Sequence, residues 1–238
     1  MKTLELLKKL EEYPVFDIAT IRNLTQNNSE YAKLCLHRLK IKGYIFELQR
    51  NKYTVHKDPF ILASNIVWPS YISLWSAIRH YNLTEQLPRD IWVITTRNIS
   101  RKEILFNNTR ILFIRTRPKY FFGYRKTQIS GFEAFIAEPE KALLDGILFK
   151  KISFSEIAYI IKHNRKILRM NLLADFAIES SNQPAIKRLG YLLDALGFDY
   201  YNKFKKHLSG SFVPLEYAIP AKGKRNEKWR VLENTVIL

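Results

Sequence analysis

The chain has 238 residues, 47% of them hydrophobic and 13% aromatic, with only 8 Gly and 9 Pro, which excludes disorder and low complexity and leaves room for a small module plus a larger domain. Its 39 Lys/Arg against 22 Asp/Glu give a formal net charge of +17, far more than solubility requires, and this implies an anionic partner. A single cysteine, Cys35, excludes an intramolecular disulfide and any multi-cysteine zinc site, so an oxidising compartment is not indicated and the cytoplasm is expected.

The first predicted element spans residues 2 to 12, where Leu4, Leu7 and Leu10 recur at helical spacing before Tyr13-Pro14 closes the run. Acidic residues interrupt its apolar pattern, so neither a signal peptide nor a membrane span is expected there. Phe16 and Ile21 then flank Asp17 as a hydrophobic staple flanks an N-cap, and Ile18, Ile21 and Leu24 repeat as a second helix. The polar run Thr25-Gln26-Asn27-Asn28 breaks it. Asn28 or Ser29 caps a third helix, whose apolar stripe of Ala32, Cys35, Leu36 and Leu39 ends at Gly43, a candidate left-handed C-cap. Two β-prone runs follow, Tyr44 to Leu48 and Tyr53 to Val55, joined by Gln49-Arg50-Asn51-Lys52. Three helices and a hairpin with a basic tip are the inventory of a winged helix-turn-helix, expected over residues 1–58 with a boundary at Asp58-Pro59.

A larger domain is expected over 59–238, sheet-rich in 59–150, helical in 151–208, with a tail over 209–238. Residues 69 to 81 predict a helix capped near Ser70, with Ile72, Trp75 and Ile78 facing inward. The period then changes to that of strands at 91–96, 104–106, 110–115 and 132–136, which predicts a small, mostly antiparallel sheet. Pro139 opens a helix in which Lys141 and Asp145 stand at i,i+4, as a structural ion pair. Helical periods return around Ile157, Leu173 and Leu189, the last ending at Gly197. The tail carries the basic run Lys222-Gly223-Lys224-Arg225 and ends in a short strand, Val236-Ile237-Leu238. The expected class is α+β: an N-terminal winged helix-turn-helix, then a domain with a small sheet and a C-terminal helical bundle.

The sequence holds no glycine-rich phosphate loop, HExxH or GxSxG, and its five histidines are scattered singly, so no catalytic activity, metal or cofactor is expected. Nucleic-acid binding by the first module is the reading that remains. A recognition helix needs short polar and basic groups that reach base edges and phosphates in a groove about 12 Å wide. The third helix offers Asn27, Asn28, Ser29 and Tyr31 at its start, and Lys33, His37, Arg38 and Lys40 along its flanks; the wing tip adds Arg50, Asn51 and Lys52. Residues 97 to 126 hold the densest basic strip of the chain. Within it Arg97, Arg101, Lys102, Arg115, Arg117 and Arg125 are expected to extend a DNA footprint or to dock an anionic partner.

Two blocks beyond the first module, Tyr71-Ile72-Ser73-Leu74-Trp75-Ser76-Ala77-Ile78 with Asn82-Leu83-Thr84-Glu85-Gln86-Leu87-Pro88, and Pro139-Glu140-Lys141-Ala142-Leu143-Leu144-Asp145, resemble those of the AbiEi family of type IV antitoxins up to about residue 150. The chain departs from the family pattern at Ile78 and at Asn82, where glycine is usual; asparagine tolerates the left-handed conformation a helix-ending glycine supplies. The resemblance implies an autorepressor that binds inverted repeats of double-stranded promoter DNA. It also implies an antitoxin whose C-terminal domain counteracts a nucleotidyltransferase toxin without a stable complex. A second reading is a winged-helix transcriptional regulator with a ligand-sensing or protein-docking C-terminal domain. A third, a nucleic-acid-processing enzyme, lacks a carboxylate cluster near the basic strip.

Overall fold

The computed structural model describes residues 2–236. Its first elements form where capping groups stand beside apolar stripes. Helix α1 (Thr3–Leu10) buries Leu6 and Leu10. Asp17 starts α2 (Ile18–Thr25) with a reciprocal capping box: its Oδ1 accepts from the Thr20 amide at 3.0 Å, and its own amide donates to Thr20 Oγ1. Asn28 caps α3 (Ser29–Ile41). That helix ends in a Schellman motif, with the Tyr44 amide bonded to the Leu39 carbonyl and the Gly43 amide to the Lys40 carbonyl, both at 3.0 Å. Gly43 has φ +70°, the left-handed geometry this motif needs. Strands β1 (Phe46–Gln49) and β2 (Lys52–Thr54) form an antiparallel hairpin, and Phe16 adds a bridge to Tyr53 through hydrogen bonds of 2.9 and 2.8 Å. Leu6, Leu10, Phe16, Ile21, Ala32, Leu36, Leu39 and Ile45 form one core beneath these elements.

Asp58 caps the short helix α4 (Pro59–Ala63), which packs against two strands of a six-stranded sheet. The strands are β3 (Ser70–Ser73), β4 (Asp90–Thr95), β5 (Glu103–Phe106), β6 (Thr109–Arg115), β7 (Tyr124–Ile129) and β8 (Phe132–Ala137), in the spatial order β5-β6-β4-β3-β8-β7. Pairing is parallel between β4 and β6 and between β3 and β8, and antiparallel between β5 and β6. The sheet is therefore mixed, which corrects the expected mostly antiparallel one. The chain reading 69 to 81 is corrected as well: Ser70 to Ser73 is a central strand buried at every position, and only Leu74 onward is helical, as α5 (Leu74–His80). A strand buried on both faces loses the alternation that identifies strands, so its short apolar run reads equally well as the start of a helix.

The chain divides into two compact units, and both are discontinuous. The first comprises residues 1–72, 89–121 and 125–136; the second comprises 73–88, 122–124 and 137–238. Asp58-Pro59 lies inside the first. The second is mainly helical: α5, α6 (Pro139–Phe149), α7 (Phe154–His163), α8 (Met170–Ser180), α9 (Gln183–Ala195) and the short α10 (Tyr201–Phe204). Ser153 caps α7 with a capping box and Asn182 caps α9. Lys141 and Asp145 of α6 form the expected ion pair, with both side chains fully buried.

The tail is ordered around one side chain. Strands β9 (Val213–Pro214), β10 (Lys224–Asn226) and β11 (Val231–Glu233) form a small sheet, and Trp229 is wholly buried, its Nε1 donating to Asp194 of α9 at 2.9 Å. A Cβ at Gly190 would stand 2.1 Å from the Trp229 ring, so only glycine allows this approach. Ile237 and Leu238 of the expected terminal strand lie outside the described residues, and Val236 belongs to no strand. Replacing Trp229 with alanine should cost about 3–5 kcal/mol in urea unfolding. Gly190→Ala should cost about 1–3 kcal/mol by overpacking; a change under half a kcal/mol in either would show that the tail does not anchor on α9.

Candidate nucleic-acid interface

A shallow groove of about 510 Å3 runs between α3 and the hairpin, and Lys33, His37, Lys40, Arg50 and Asn51 line it beside Tyr53. The groove is held open by the way the hairpin docks. Asn51 takes the left-handed conformation at the turn (φ 58°), and its Oδ1 accepts from the Ile18 amide at 3.0 Å. Lys52 stands 3.9 Å from Asp17. Both contacts tie the tip to the first turn of α2. Lys40 reaches across the groove to an ion pair with Glu47, whose hydrogen bond pushes the lysine up from its ordinary pKa. Of the groove cations, Lys33 and Arg50 are exposed and make no ion pair among the described residues.

The start of α3 is arranged differently. Asn28 Oδ1 accepts from the Tyr31 amide at 2.9 Å, and Asn27 Nδ2 donates to the Thr25 carbonyl at 2.7 Å, so both amides hold the interhelical turn. Ser29 and Arg38 are exposed. Tyr31 is exposed too, and a side-chain hydrogen bond with Cys35 pushes its hydroxyl up from the ordinary tyrosine value. Sequence reasoning missed two residues on this helix: Leu34 and Ile41 are 43% and 72% exposed, seven positions apart on the side away from the buried stripe. Their signal was available, since neither fits the periodicity of Ala32, Leu36 and Leu39.

The basic strip is divided by the sheet order. Thr95 and Arg115 are paired at the ends of β4 and β6, so Arg97, Arg115 and Arg117 gather there. Arg101 and Lys102 precede the edge strand β5, with the Lys102 carbonyl accepting from the Phe113 amide at 2.8 Å. Arg125 lies on β7, at the opposite edge. Arg97 is also tethered, its Nε donating to the Trp68 carbonyl at 3.1 Å. All six share the first unit with α3 and the hairpin. That unit holds 21 Lys/Arg against 10 Asp/Glu, net +11, while the second holds 18 against 12, net +6.

Among the described residues no group of His, Cys, Asp or Glu is placed to hold a metal ion, and no helix is long and apolar enough to cross a membrane. No family model matches the chain, and no curated protein matches it. Among solved structures, the crystal structure of the RV2827C protein from Mycobacterium tuberculosis is similar in fold, with a TM-score of 0.64 at 12% identity, covering 96% of this chain and 90% of that one. At that identity the likeness concerns the fold alone.

The two kinds of polar residue on α3 separate by measurement. Asn28→Ala should destabilise the protein by about 1 kcal/mol, as loss of an N-cap does. Lys33→Ala should leave stability within about 0.5 kcal/mol. Equal costs in denaturant titrations would contradict this assignment of Asn28 to capping.

Proposed function

We propose that the chain is a DNA-binding repressor whose first three helices and hairpin act as a winged helix-turn-helix, and that it serves as the antitoxin of a type IV toxin-antitoxin system. The observation that carries the DNA-binding half is the joint placement of α3, the hairpin groove with exposed Lys33 and Arg50, and the net +11 of the first unit. A duplex presents regularly spaced phosphates, and exposed cations without intramolecular partners are the groups that neutralise them at least cost. In this reading Lys33, Arg38 and Arg50 grip phosphates, while Ser29, Tyr31 and Leu34 face base edges, Leu34 being suited to a thymine methyl. Arg97, Arg115 and Arg117 add to the footprint. The chain acts without catalysis of its own.

The antitoxin half rests on the resemblance of residues 71–88 and 139–145 to the AbiEi family. On that reading the second unit counteracts a nucleotidyltransferase toxin without a lasting complex. A specific observation favours a second reading, a regulator whose second unit senses a small molecule: a groove of about 720 Å3 lies between residues 82–86 and α7, lined by Trp75, Tyr159 and His163.

The triple substitution Lys33→Ala, Arg38→Ala, Arg50→Ala should weaken binding to a duplex from the chain's own promoter and reduce the log-log salt slope by about one unit per lost phosphate contact. An unchanged slope in fluorescence anisotropy removes α3 and the wing from the interface. The same variant, co-expressed with the product of the adjacent gene, should still rescue growth. Loss of rescue with the fold intact refutes the division of labour, and failure of the unmodified chain to rescue refutes the antitoxin role.

A further inference from the structure

The second unit holds a buried lysine with no acidic partner among the described residues. Lys187 of α9 is fully buried, and its ammonium donates to Ser209 Oγ at 2.8 Å, to Ser211 Oγ at 3.3 Å and to the Ser211 carbonyl. All three partners are neutral oxygens. Burial pulls this lysine down from its ordinary pKa, and the charged group acting on it is a second cation, Arg230. A desolvated ammonium is costly without an opposite charge.

The surroundings add cations and unused donors. The guanidinium carbons of Arg225 and Arg230 lie 5.2 and 5.4 Å from the centre of the Phe212 ring, which brings both to the same turn. Glu227 pairs with Arg230, and Arg225 makes no ion pair among the described residues. The Ser209 and Ser211 hydroxyls are 3.1 Å apart and both accept from Lys187. One hydroxyl hydrogen can serve the other serine, and the remaining one is left to point outward. Among the described residues, the backbone amides of 209 to 212 donate to no group of the chain, while the next amide, that of Val213, is bonded to the Arg230 carbonyl. Successive amides beside a hydroxyl and two guanidiniums suit a tetrahedral oxyanion.

We propose that the turn over residues 209–212, with Lys187, Arg225 and Arg230, is a binding site for the terminal phosphoryl group of a small phosphorylated molecule. A terminal phosphoryl carries close to two negative charges, against one on each phosphate of a nucleic-acid backbone. Lys187 acts through the two serines, whose hydroxyls it orients and polarises. The arginines supply charge at the surface. The site lies in the second unit and does not depend on DNA binding by the first.

Inorganic phosphate is the probe. Titrated into the full-length protein, it should shift the amide resonances of residues 209–212 saturably, whereas sodium chloride at matched ionic strength should not. Arg225→Gln, an exposed change compatible with folding, should raise the dissociation constant about tenfold, as removal of one charge-assisted contact does. Lys187→Met, scored where its amide spectrum shows the native fold, should do the same. Shifts that merely follow ionic strength overturn the proposal. So does an affinity unchanged in Arg225→Gln, or a response of this turn to duplex DNA with none to phosphate.

Discussion

The second unit depends on the ion pair buried within α6. Its three segments are far apart in the chain, and each meets the pair: Ser73 Oγ donates to Asp145 Oδ2 at 2.7 Å, the Lys141 ammonium lies 4.9 Å from the centre of the Phe122 ring, and α6 carries both charges. Gly123, at φ +68°, abuts the lysine stem, where a Cβ would stand 3.0 Å from Lys141 Cγ. Burial pulls the ammonium below its ordinary pKa while the Asp145 carboxylate holds it up. Removing one partner of such a pair leaves an uncompensated charge and costs roughly 3–5 kcal/mol, whereas an apolar pair of similar volume is often tolerated. The pair therefore costs more to break than to replace, and breaking it would disturb all three segments at once. Leu74, buried at φ 55° directly after Ser73, fits this view, since a left-handed leucine persists only where its surroundings over-determine it.

The same polar chemistry has a different use in the N-terminal module. Asn28 and Asn51 look from the sequence like recognition groups, because asparagine pairs well with adenine. Both are occupied by backbone donors, one at the start of α3 and the other at the start of α2. Asparagine is suited to those places because its short side chain caps amides and tolerates the left-handed region. The chemistry that makes a residue a good reader of bases also makes it a good cap, and sequence position alone does not separate the two.

Legibility followed the range of the interaction. Helices with a capping residue beside an amphipathic stripe, such as α2, α3, α7 and α9, were readable because cap and stripe are local. The Schellman ends at Gly43 and Gly197 were readable for the same reason. Asn82 ends α5 in the left-handed conformation, with φ 55° and the Leu83 amide bonded to the Ile78 carbonyl at 3.1 Å, a geometry asparagine tolerates. Strand β3 was not readable, since its identity comes from neighbours on both sides. Strand β7 was not readable either, because Tyr124–Ile129 has no buried position to show a period. The tail sheet depends on Trp229 meeting Gly190, a pairing across the chain that no local pattern announces. Of the candidate site, the cations were visible in the sequence, but their division between the ends of β4 and β6 and the edge strands β5 and β7 was not.

That division bears on how the proposed DNA contact would be built. A single basic face spanning 97 to 126 would bind any polyanion; the strand order instead puts Arg97, Arg115 and Arg117 together at the ends of β4 and β6 and leaves Arg125 at the far edge. Lys40 and Lys126 are paired with Glu47 and Glu133, and Arg110 is bidentate to Asp90. These three raise the number of basic residues but are each cancelled by an acid, so they add nothing to the net charge and are not free to bind. The remaining cations keep the first unit's excess of +11 and give a nonspecific grip that salt readily screens. A protein built in this way must gain its selectivity from short-range contacts, and the exposed line of α3 supplies apolar as well as polar ones. In that proposal Leu34, 43% exposed on this face, would contribute where a complementary apolar group such as a thymine methyl meets it.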